Sequence, residues 1–371
     1  MKSASRRVDR RLNIGQRRNL LAKPSSVRRD AQSFHLFHHS VLRSHLCSWR
    51  SRKLTTWRKP LSFVPQIFFV TDPLRDSTFV TLQHWLPKLA LTRFAGLVAC
   101  WRGGAITHWI IRRFVAKYGV NMAEALEPRI ETYATFNEFF TRPLRADARP
   151  ISGDDARPMP SGDDSSWLCP VDGAISQFGA IERDQIFQAK GHQYSTRALV
   201  GGDATLAAQF EDGAFATLYL SPRDYHRIHM PCDGTLTRMI YVPGALYSVN
   251  PATARGIPGL FAINERVVCV FDTAHGPFVL TLVGATIVGS MATVWHGVVN
   301  PPRTGNVREW RYGNSAGDEQ AITLKRGDEM GRFLLGSTVV MLWPKDVLQF
   351  NPKWSPTKAV QLNELMATRA V

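Results

Sequence analysis

The hydrophobic pattern divides the chain into a helical segment followed by a β-rich segment. Between residues 81 and 118, apolar side chains recur at roughly helical spacing and are interrupted at Gly103-Gly104. This spacing predicts two short amphipathic helices. From Cys169 onward, short runs rich in β-branched and aromatic residues alternate with turn residues such as Pro243-Gly244. They predict strands at 171–179, 213–220, 234–242, 266–272, 277–284, 286–298 and 333–342, typical of a mostly antiparallel sandwich or barrel.

These patterns predict an α+β protein in three parts. Residues 1–80 form a basic extension, residues 81–150 a helical region and residues 151–371 the β-rich core. In the helical region, Thr135-Phe136-Asn137-Glu138 has the order of a capping box and predicts the start of a short helix. Residues 151–166 are dense in Gly, Asp, Ser and Pro and predict a loop.

Positive charge is concentrated at the N-terminal end of the chain. The formal net charge of the 371 residues is +16, but residues 119–371 alone carry a net charge of −3. Residues 1–60 hold 16 Lys and Arg against two acidic residues. This composition suits a disordered extension, a mitochondrial-type transit segment or a nucleic-acid-binding arm, and we favour the extension.

The overall composition excludes several classes of protein. A hydrophobic fraction of 44% is too high for a wholly disordered chain. The five cysteines contain no Cys-x-x-Cys pair, which argues against a disulfide scaffold and a thiolate zinc site and favours a reducing compartment. The sequence also lacks a P-loop, a Rossmann glycine fingerprint and a His-Glu-x-x-His motif.

The helical segment 81–118 combines tryptophans with basic residues. No apolar run reaches about 18 residues, so a membrane-spanning helix is not supported. Helices with this pattern either lie in a membrane interface or pack on their own domain, and the pattern alone does not separate the two. In the first case, the candidate membrane-binding residues are Trp101, Arg102, Trp109, Arg112 and Arg113.

Three short segments carry candidate chemistry. The first, Cys169-Pro170-Val171-Asp172-Gly173, places a carboxylate at an Asp-Gly turn. The second, Ser221-Pro222-Arg223-Asp224-Tyr225-His226-Arg227-Ile228-His229-Met230-Pro231, holds two histidines between prolines. The third, Gly331-Arg332-Phe333-Leu334-Leu335-Gly336-Ser337-Thr338, places Gly-Ser at the start of an apolar strand. Taken singly, they also fit a turn, a pair of structural or metal-binding histidines, and a strand entry.

Taken together, the three segments resemble the bacterial-type phosphatidylserine decarboxylase family. The histidine segment and the Gly-Ser segment resemble that family's two diagnostic motifs, in the same order along the chain. Tyr241-Val242-Pro243-Gly244 and Asn264-Glu265-Arg266 are similar to it as well. The resemblance covers about residues 81–371, and the first 80 residues are where this sequence departs from the family core.

The resemblance implies a self-processing enzyme. The Oγ atom of Ser337 would attack the carbonyl of Gly336, with His229 as the base and Asp172 orienting it, as in a serine-protease-like triad acting on its own chain. Cleavage would separate residues 1–336 from a small chain, 337–371. Ser337 would become a covalent pyruvoyl group, so that neither a metal nor an added cofactor is needed.

The resemblance also implies the reaction and its setting. Phosphatidylserine would form a Schiff base on the pyruvoyl group and lose CO₂ to give phosphatidylethanolamine in phospholipid biosynthesis. His226 would return a proton and contact the substrate carboxylate, although the division of roles between His226 and His229 is open. The expected partners are phosphatidylserine in an anionic membrane, the small chain and a second copy in a homodimer, without nucleic acid. The expected location is peripheral, on the cytoplasmic face of the cell membrane, or on the mitochondrial inner membrane if residues 1–60 are a transit segment.

Three alternatives rank below the decarboxylase. A triad hydrolase acting on lipid would lack the usual Gly-x-Ser-x-Gly elbow and would keep an intact chain. A non-catalytic membrane-surface module would bind lipid without releasing CO₂. A nucleic-acid-binding protein would depend on residues 1–60 and on salt concentration.

Overall fold

Four helices precede the first strand of the described residues, and four short ones lie between strands. The computed structural model describes residues 73–151, 165–287, 290–303, 305–313, 321–335 and 338–370. The helices of these residues are α1 (Pro73–Trp85), α2 (Lys88–Cys100), α3 (Ala105–Tyr118), α4 (Phe136–Phe140), α5 (Thr196–Leu199), α6 (Ala204–Ala208), α7 (Pro251–Gly256) and α8 (Leu260–Ile263), with 3-10 turns at Met122–Glu124 and Ile130–Thr132.

The strands of the described residues all pair in antiparallel fashion. They are β1 (Ser166–Leu168), β2 (Gly173–Ala180), β3 (Gln185–Ala189), β4 (His192–Ser195), β5 (Ala214–Tyr219), β6 (Arg227–His229), β7 (Gly234–Val242), β8 (Arg266–Thr273), β9 (Gly276–Val283), β10 (Met291–Thr293), β11 (Gly297–Val298), β12 (Arg308–Arg311), β13 (Ile322–Leu324), β14 (Glu329–Phe333), β15 (Thr338–Trp343), β16 (Leu348–Phe350), β17 (Ala359–Val360) and β18 (Leu365–Arg369).

One large sheet forms the centre of the fold. Its strands follow the order β12-β7-β8-β9-β15-β5-β2-β17, and β13 also pairs with β7. Smaller sheets have the orders β11-β10-β14-β6, β1-β18-β16 and β3-β4. Among the described residues, the two ends of the large sheet do not pair with each other. The predicted antiparallel β core is therefore confirmed, whereas the barrel alternative is wrong because the sheet stays open.

The central strands are buried on both faces of the large sheet. In β15, Val339, Met341 and Trp343 belong to one hydrophobic cluster, whereas Val340 and Leu342 belong to another. Successive side chains of a strand point to opposite faces, so the two clusters lie on the two sides of the sheet. This explains why the central strands appear in the sequence as continuous apolar runs.

Two predicted strands differ from the observed ones. The run 286–298 is not one strand, because residues 294–296 form a turn between β10 and β11, and Gly297 has φ of 74°. The run 333–342 spans the end of β14 and most of β15. Each run contains strand residues, but hydrophobic content carries no information on where the backbone reverses.

The N-terminal helices begin earlier than the pattern predicts. α1 begins at Pro73, and its Asp76 accepts a hydrogen bond of 2.6 Å from Arg255 of α7. The break at Gly103-Gly104 separates α2 from α3, and Gly104 has φ of 54°. Most of the predicted extension 1–80 and of the predicted loop 151–166 lies outside the described residues.

The capping box places α4 where the sequence predicts it. The Oγ1 atom of Thr135 accepts a hydrogen bond from the Glu138 backbone at 3.1 Å. The Glu138 carboxylate in turn accepts from the backbone N–H of Ala134 at 2.8 Å. This fixes α4, whose aromatic side chains Phe136, Phe139 and Phe140 are buried against α3.

Candidate active site

The register of the large sheet brings two of the predicted segments to the same edge. Ala174 in β2 pairs with Tyr219 in β5, and Tyr219 pairs with Thr338 in β15. Asp172 precedes Ala174 by two residues, and Ser337 precedes Thr338 by one. Strand pairing alone therefore brings the ends of these two segments next to each other, although they are far apart in the sequence.

The histidine segment lies at the same edge. The backbone N–H of His229 donates to the carbonyl of Pro170 at 2.9 Å, and the N–H of Phe333 donates to the carbonyl of His226 at 3.0 Å. The two histidines therefore lie between the Asp-Gly segment and the strand that leads to the predicted cleavage site. That site, Gly336-Ser337, lies outside the described residues.

A glycine holds the Asp-Gly segment close to β5. A Cβ atom on Gly173 would lie 2.4 Å from the carbonyl oxygen of Tyr219, far inside contact distance. Any side chain at this position would push β2 away from β5. Gly173 therefore does more than allow a turn, because the close contact with β5 fixes the position of Asp172 at the sheet edge.

Asp172 is held by a bidentate arginine. Nε and Nη2 of Arg149 donate to the two carboxylate oxygens at 2.9 and 2.6 Å, and the Leu362 backbone N–H donates to Oδ1 at 2.9 Å. The side chains of Arg149 and Asp172 are 10% and 9% exposed. Burial disfavours the charged guanidinium, but the bonds and charges of Asp172 and Glu124 outweigh it and raise the pKa of Arg149. The carboxylate is thus anchored by a permanent cation.

His229 has the hydrogen bonds of a neutral general base. Its Nδ1 atom is 2.7 Å from the carbonyl oxygen of Gly327, which can only accept, so Nδ1 carries the proton. The lone pair of the neutral ring is then on Nε2, which is 3.1 Å from the hydroxyl of Tyr225. Burial lowers the pKa of His229 below its usual value of 6.5, against the opposing hydrogen bond to Gly327. The ring is therefore available to take a proton near neutral pH.

His226 is neutral for the same reason and more deeply buried. Its side chain is 0% exposed, its Nδ1 donates to the Asp224 carbonyl at 2.8 Å, and its ring lies 4.0 Å from that of Phe140. Burial lowers the pKa of His226 to about 3. Its Nε2 atom has no hydrogen-bond partner among the described residues. A buried nitrogen of this kind normally has a partner, so this lone pair marks a place for a reacting group.

The direct hydrogen bond between Asp172 and His229 that the resemblance implies is not among the bonds of the described residues. The imidazole of His229 binds Gly327 and Tyr225, whereas the carboxylate of Asp172 binds Arg149 and Leu362. The charge of Asp172 nevertheless reaches His229 and raises its pKa, against the larger lowering by burial. The triad of Asp172, His229 and Ser337 stays a prediction.

An apolar cavity of about 270 Å³ opens beside the segment that leads to the predicted cleavage site. Phe114 and Phe140 form part of its wall, together with Leu335 and the polar residues Ser248 and Thr286. Phe140 also covers His226. The ring of Phe140 therefore contacts both the cavity and the buried imidazole of His226.

The surface of α2 and α3 exposes large apolar side chains. Leu97 is 73% exposed, Phe94 67% and Trp109 58%. The predicted membrane-binding residues Trp101, Arg102, Trp109, Arg112 and Arg113 are all exposed.

Among the described helices, none is long and apolar enough to cross a membrane. In the same residues, no group of three or more His, Cys, Asp or Glu side chains could hold a metal ion.

Known proteins match this chain over most of its length. The family model described as phosphatidylserine decarboxylase matches residues 136–368, and a model described as PSD matches residues 78–119. The phosphatidylserine decarboxylase proenzyme of Variovorax paradoxus is 67% identical over 297 residues, which cover 80% of this chain and 99% of the relative. This chain belongs to the phosphatidylserine decarboxylase family. The proenzyme of Dechloromonas aromatica, 65% identical over 297 residues and 100% of its length, supports the same conclusion.

The family membership predicted from the motifs is thus confirmed. Within this phosphatidylserine decarboxylase family chain, motif reasoning did not find Arg149, Tyr225 or the Gly327 carbonyl as parts of the site. Tyr225 lies inside the histidine motif, four residues from His229, and this spacing could have drawn attention to it. Arg149 lies 20 residues before Cys169, and Gly327 lies four residues before the Gly-Ser segment without being part of it. Only the folded chain brings them to the carboxylate of Asp172 and the imidazole of His229.

Proposed function

We propose that this chain decarboxylates phosphatidylserine to phosphatidylethanolamine through a pyruvoyl group that it makes from Ser337. The observation that carries this is the pairing of Ala174 with Tyr219 and of Tyr219 with Thr338. This register places the residues flanking Asp172 and Ser337 at one sheet edge, beside the histidine segment. The relatives are named phosphatidylserine decarboxylase proenzymes, and this name supports a chain that is processed after synthesis.

Self-cleavage begins with the hydroxyl of Ser337. Its proton passes to Nε2 of His229 as Oγ attacks the Gly336 carbonyl, and the acyl group moves from nitrogen to oxygen. The imidazolium of His229 returns its proton to the departing amide nitrogen, which becomes a free amine. A base then removes the Cα proton of residue 337, and β-elimination expels the carboxylate of Gly336 and leaves a dehydroalanine at position 337. Hydrolysis of the dehydroalanine releases ammonia and leaves the pyruvoyl group. Asp172, anchored by Arg149, supplies the negative charge that stabilises the imidazolium of His229.

The hydroxyl of Tyr225 occupies the hydrogen-bonding position at Nε2 of His229. The hydroxyl of Tyr225 is the hydrogen-bond donor to this nitrogen in the described conformation. For Ser337 to give up its proton, Tyr225 must turn its hydroxyl proton away or pass it on. The Gly327 carbonyl keeps the imidazole ring in place while this happens.

The histidine segment beside the predicted cleavage site fits a pyruvoyl group. The buried Nε2 of His226, without a partner among the described residues, is the polar atom that such a group would complete. When present, the pyruvoyl group supplies a carbonyl for the substrate amine and an electron sink for the departing CO₂. His226 offers a lone pair at Nε2, so it can return a proton to the substrate only after it has taken one up.

The exposed surface of α2 and α3 is proposed to dock on the membrane. Apolar side chains such as Leu97 and Trp109 would enter the interface, and Arg102 and Arg113 would lie among anionic headgroups. Each cation near such a surface contributes about 1 kcal/mol. The cavity beside Leu335 opens on the sheet side of these helices, close to where a docked lipid headgroup arrives. The cytoplasmic face and a homodimer stay predictions.

Intact-mass analysis of the purified full chain tests this function. We expect two polypeptides, 1–336 and 337–371, with a ketone at the N-terminus of the second and release of CO₂ from phosphatidylserine vesicles. Ser337→Ala should abolish both cleavage and CO₂ release, and hydroxylamine should inactivate the cleaved wild type by reacting with the ketone. The matched control is Ser355→Ala, an exposed serine of the same small chain. An unbroken wild-type chain that still releases CO₂ would contradict the proposal, and one that hydrolyses lipid instead would favour the triad hydrolase.

A further inference from the structure

A buried glutamine of α1 binds a loop of the apolar cavity. Gln83 is 4% exposed, and its Oε1 accepts a hydrogen bond from the backbone N–H of Ser248 at 3.1 Å. The hydroxyl of Thr286 lies 3.2 Å from the same oxygen and shares its proton with the Leu246 carbonyl. Ser248 and Thr286 both line the cavity next to Leu335. One side chain from the N-terminal helices therefore joins two separate cavity loops.

A buried threonine of α2 holds the next residue of the second loop. Thr92 is 5% exposed, and its Oγ1 accepts a hydrogen bond from the backbone N–H of Ile287 at 3.0 Å. Ile287 also lines the cavity, and its φ of 71° is in the left-handed region. A β-branched residue rarely adopts this conformation and keeps it only where the surroundings enforce it. The bond from Ile287 to Thr92 is one such constraint.

The helix that carries Thr92 also carries the exposed apolar surface. Phe94 and Leu97 on α2 are 67% and 73% exposed, whereas Thr92 faces the cavity loop. The corner between α1 and α2 is fixed by Lys88, whose Nζ donates to the carbonyl of Gln83 at 2.7 Å and lies 4.4 Å over the ring of Tyr247. The two helices thus form one connected piece between the exposed surface and the cavity.

We propose that Gln83 and Thr92 are positioning residues that set the shape of the cavity in which phosphatidylserine binds. Through them the docking helices and the decarboxylation site act as one rigid unit. The proposal rests on the proposed function, because it assigns the cavity beside Leu335 to that substrate. It concerns turnover and not self-cleavage, because neither side chain contacts the histidine segment.

The test compares variants that remove these acceptors with variants that keep them. Gln83→Leu and Thr92→Val remove the oxygens that receive the Ser248 and Ile287 N–H groups. Gln83→Glu and Thr92→Ser keep an acceptor in each place, and the nearby Lys88 offsets the new charge at position 83. The matched control is Thr81→Val on α1, since the Thr81 hydroxyl is exposed and binds the carbonyl of Ser77 in its own helix.

Three readouts separate positioning from docking and from folding. Intact mass follows self-cleavage, sedimentation follows binding to phosphatidylserine vesicles, and CO₂ release is measured on dihexanoyl-phosphatidylserine dissolved as monomers. For the double variant Gln83→Leu, Thr92→Val we expect cleavage and vesicle binding within about twofold of wild type. We expect its kcat/KM on the monomeric substrate to fall about tenfold, with recovery of most of this loss in Gln83→Glu, Thr92→Ser.

The outcomes distinguish this inference from the function on which it rests. A wild-type chain that releases no CO₂ overturns the proposed function and the inference together. An active wild type whose kcat/KM on the monomeric substrate matches that of the double variant overturns the inference alone. The inference also fails if turnover falls only on vesicles, in step with vesicle binding, because the two residues would then serve docking. If the double variant does not accumulate, the single variants Thr92→Val and Thr92→Ser are compared in the same three assays and judged by the same criteria.

Discussion

The sheet edge and the α2–α3 surface both contain aromatic and charged side chains, which are buried at the edge and exposed on the helices. At the edge, His226 is 0% exposed and packs against a phenylalanine ring, and Asp172 is enclosed by an arginine. On the helices, Trp109 is 58% exposed and Leu97 is 73% exposed. Folding encloses the side chains of the first region, whereas the second leaves apolar area in water that a further surface would cover.

This difference separates the chemistry from the docking. The polar groups at the edge have internal partners that fix their protonation and direction before any substrate arrives. The arginines of the helices are exposed, as suits contacts with a charged surface. Substitutions at the edge should therefore change bond making and breaking, whereas substitutions on the helices should change affinity for a membrane.

The largest effect is expected for the base of self-cleavage. His229→Asn keeps an N–H near the Gly327 carbonyl but removes Nε2, so that Ser337 loses its proton acceptor. Positioned general bases contribute about 10²–10⁴-fold to a rate. We expect self-cleavage to slow by that amount in a time course followed by denaturing gel and intact mass. His192→Asn, on the β3–β4 hairpin, is the control, and cleavage of His229→Asn at the wild-type rate would exclude His229 as the base.

The next effect should separate the two histidines. His226→Asn preserves a donor for the Asp224 carbonyl and removes the unpartnered Nε2. We expect this variant to cleave itself but to release CO₂ about 10²-fold more slowly, because the proton can no longer be returned from that nitrogen. Measurement of turnover on the cleaved fraction checks this. If this variant stays uncleaved, His226 and not His229 is the base of self-cleavage, and the two assignments must be reversed.

The site could be predicted from sequence as far as its motifs extend. The residue types in the Asp-Gly, histidine and Gly-Ser segments indicate which groups take part, and the confirmed family makes their combination specific. The hydrogen bonds could not be predicted in this way. The orientation of His229 depends on the carbonyl of Gly327, and the anchoring of Asp172 depends on Arg149. A backbone carbonyl has no residue signature, and a single arginine far from the motifs has no spacing to mark it.

The fold could be predicted where burial and turn chemistry agree. The strand predicted at 234–242 coincides with β7, and the helix break at Gly103-Gly104 is where α2 gives way to α3. β12, β16, β17 and β18 were not predicted, because they are only two to five residues long and partly exposed. α1 was not predicted, because most of its residues fall within the segment 1–80 that was assigned to the extension.

A smaller effect is expected on the helical surface. Replacing Trp101 and Trp109 by serine removes two exposed indoles that would otherwise leave water on docking. Shallow burial of each is worth about 1 kcal/mol, so binding to anionic vesicles should weaken about tenfold or more. Self-cleavage should not change. Leu126→Ser is a matched control, since Leu126 is 63% exposed but lies outside α2 and α3.

Vesicle sedimentation across a salt series sharpens this prediction. The apolar contribution should persist at high salt, whereas the contribution of Arg102 and Arg113 should weaken as ions screen the surface. If the double tryptophan variant binds vesicles as the wild type does, the exposed face of α2 and α3 is not the docking surface. The contrast between the two regions would then lose its functional meaning.

The smallest effect is expected in the dependence of stability on pH. The pKa of His226 is about 3 in the folded chain, whereas an unfolded histidine has its usual value of 6.5. Between these values the unfolded chain binds a proton that the folded chain does not, so stability falls as the pH falls. In a Ser337→Ala background, which keeps one polypeptide, the loss from pH 7 to 5.5 should be about 1 kcal/mol smaller after His226→Asn. Urea unfolding at both pH values measures the difference, in which the unchanged carboxylates cancel. An equal loss in both chains would mean that His226 is protonated in the folded state, and its lone pair would no longer be available at the sheet edge.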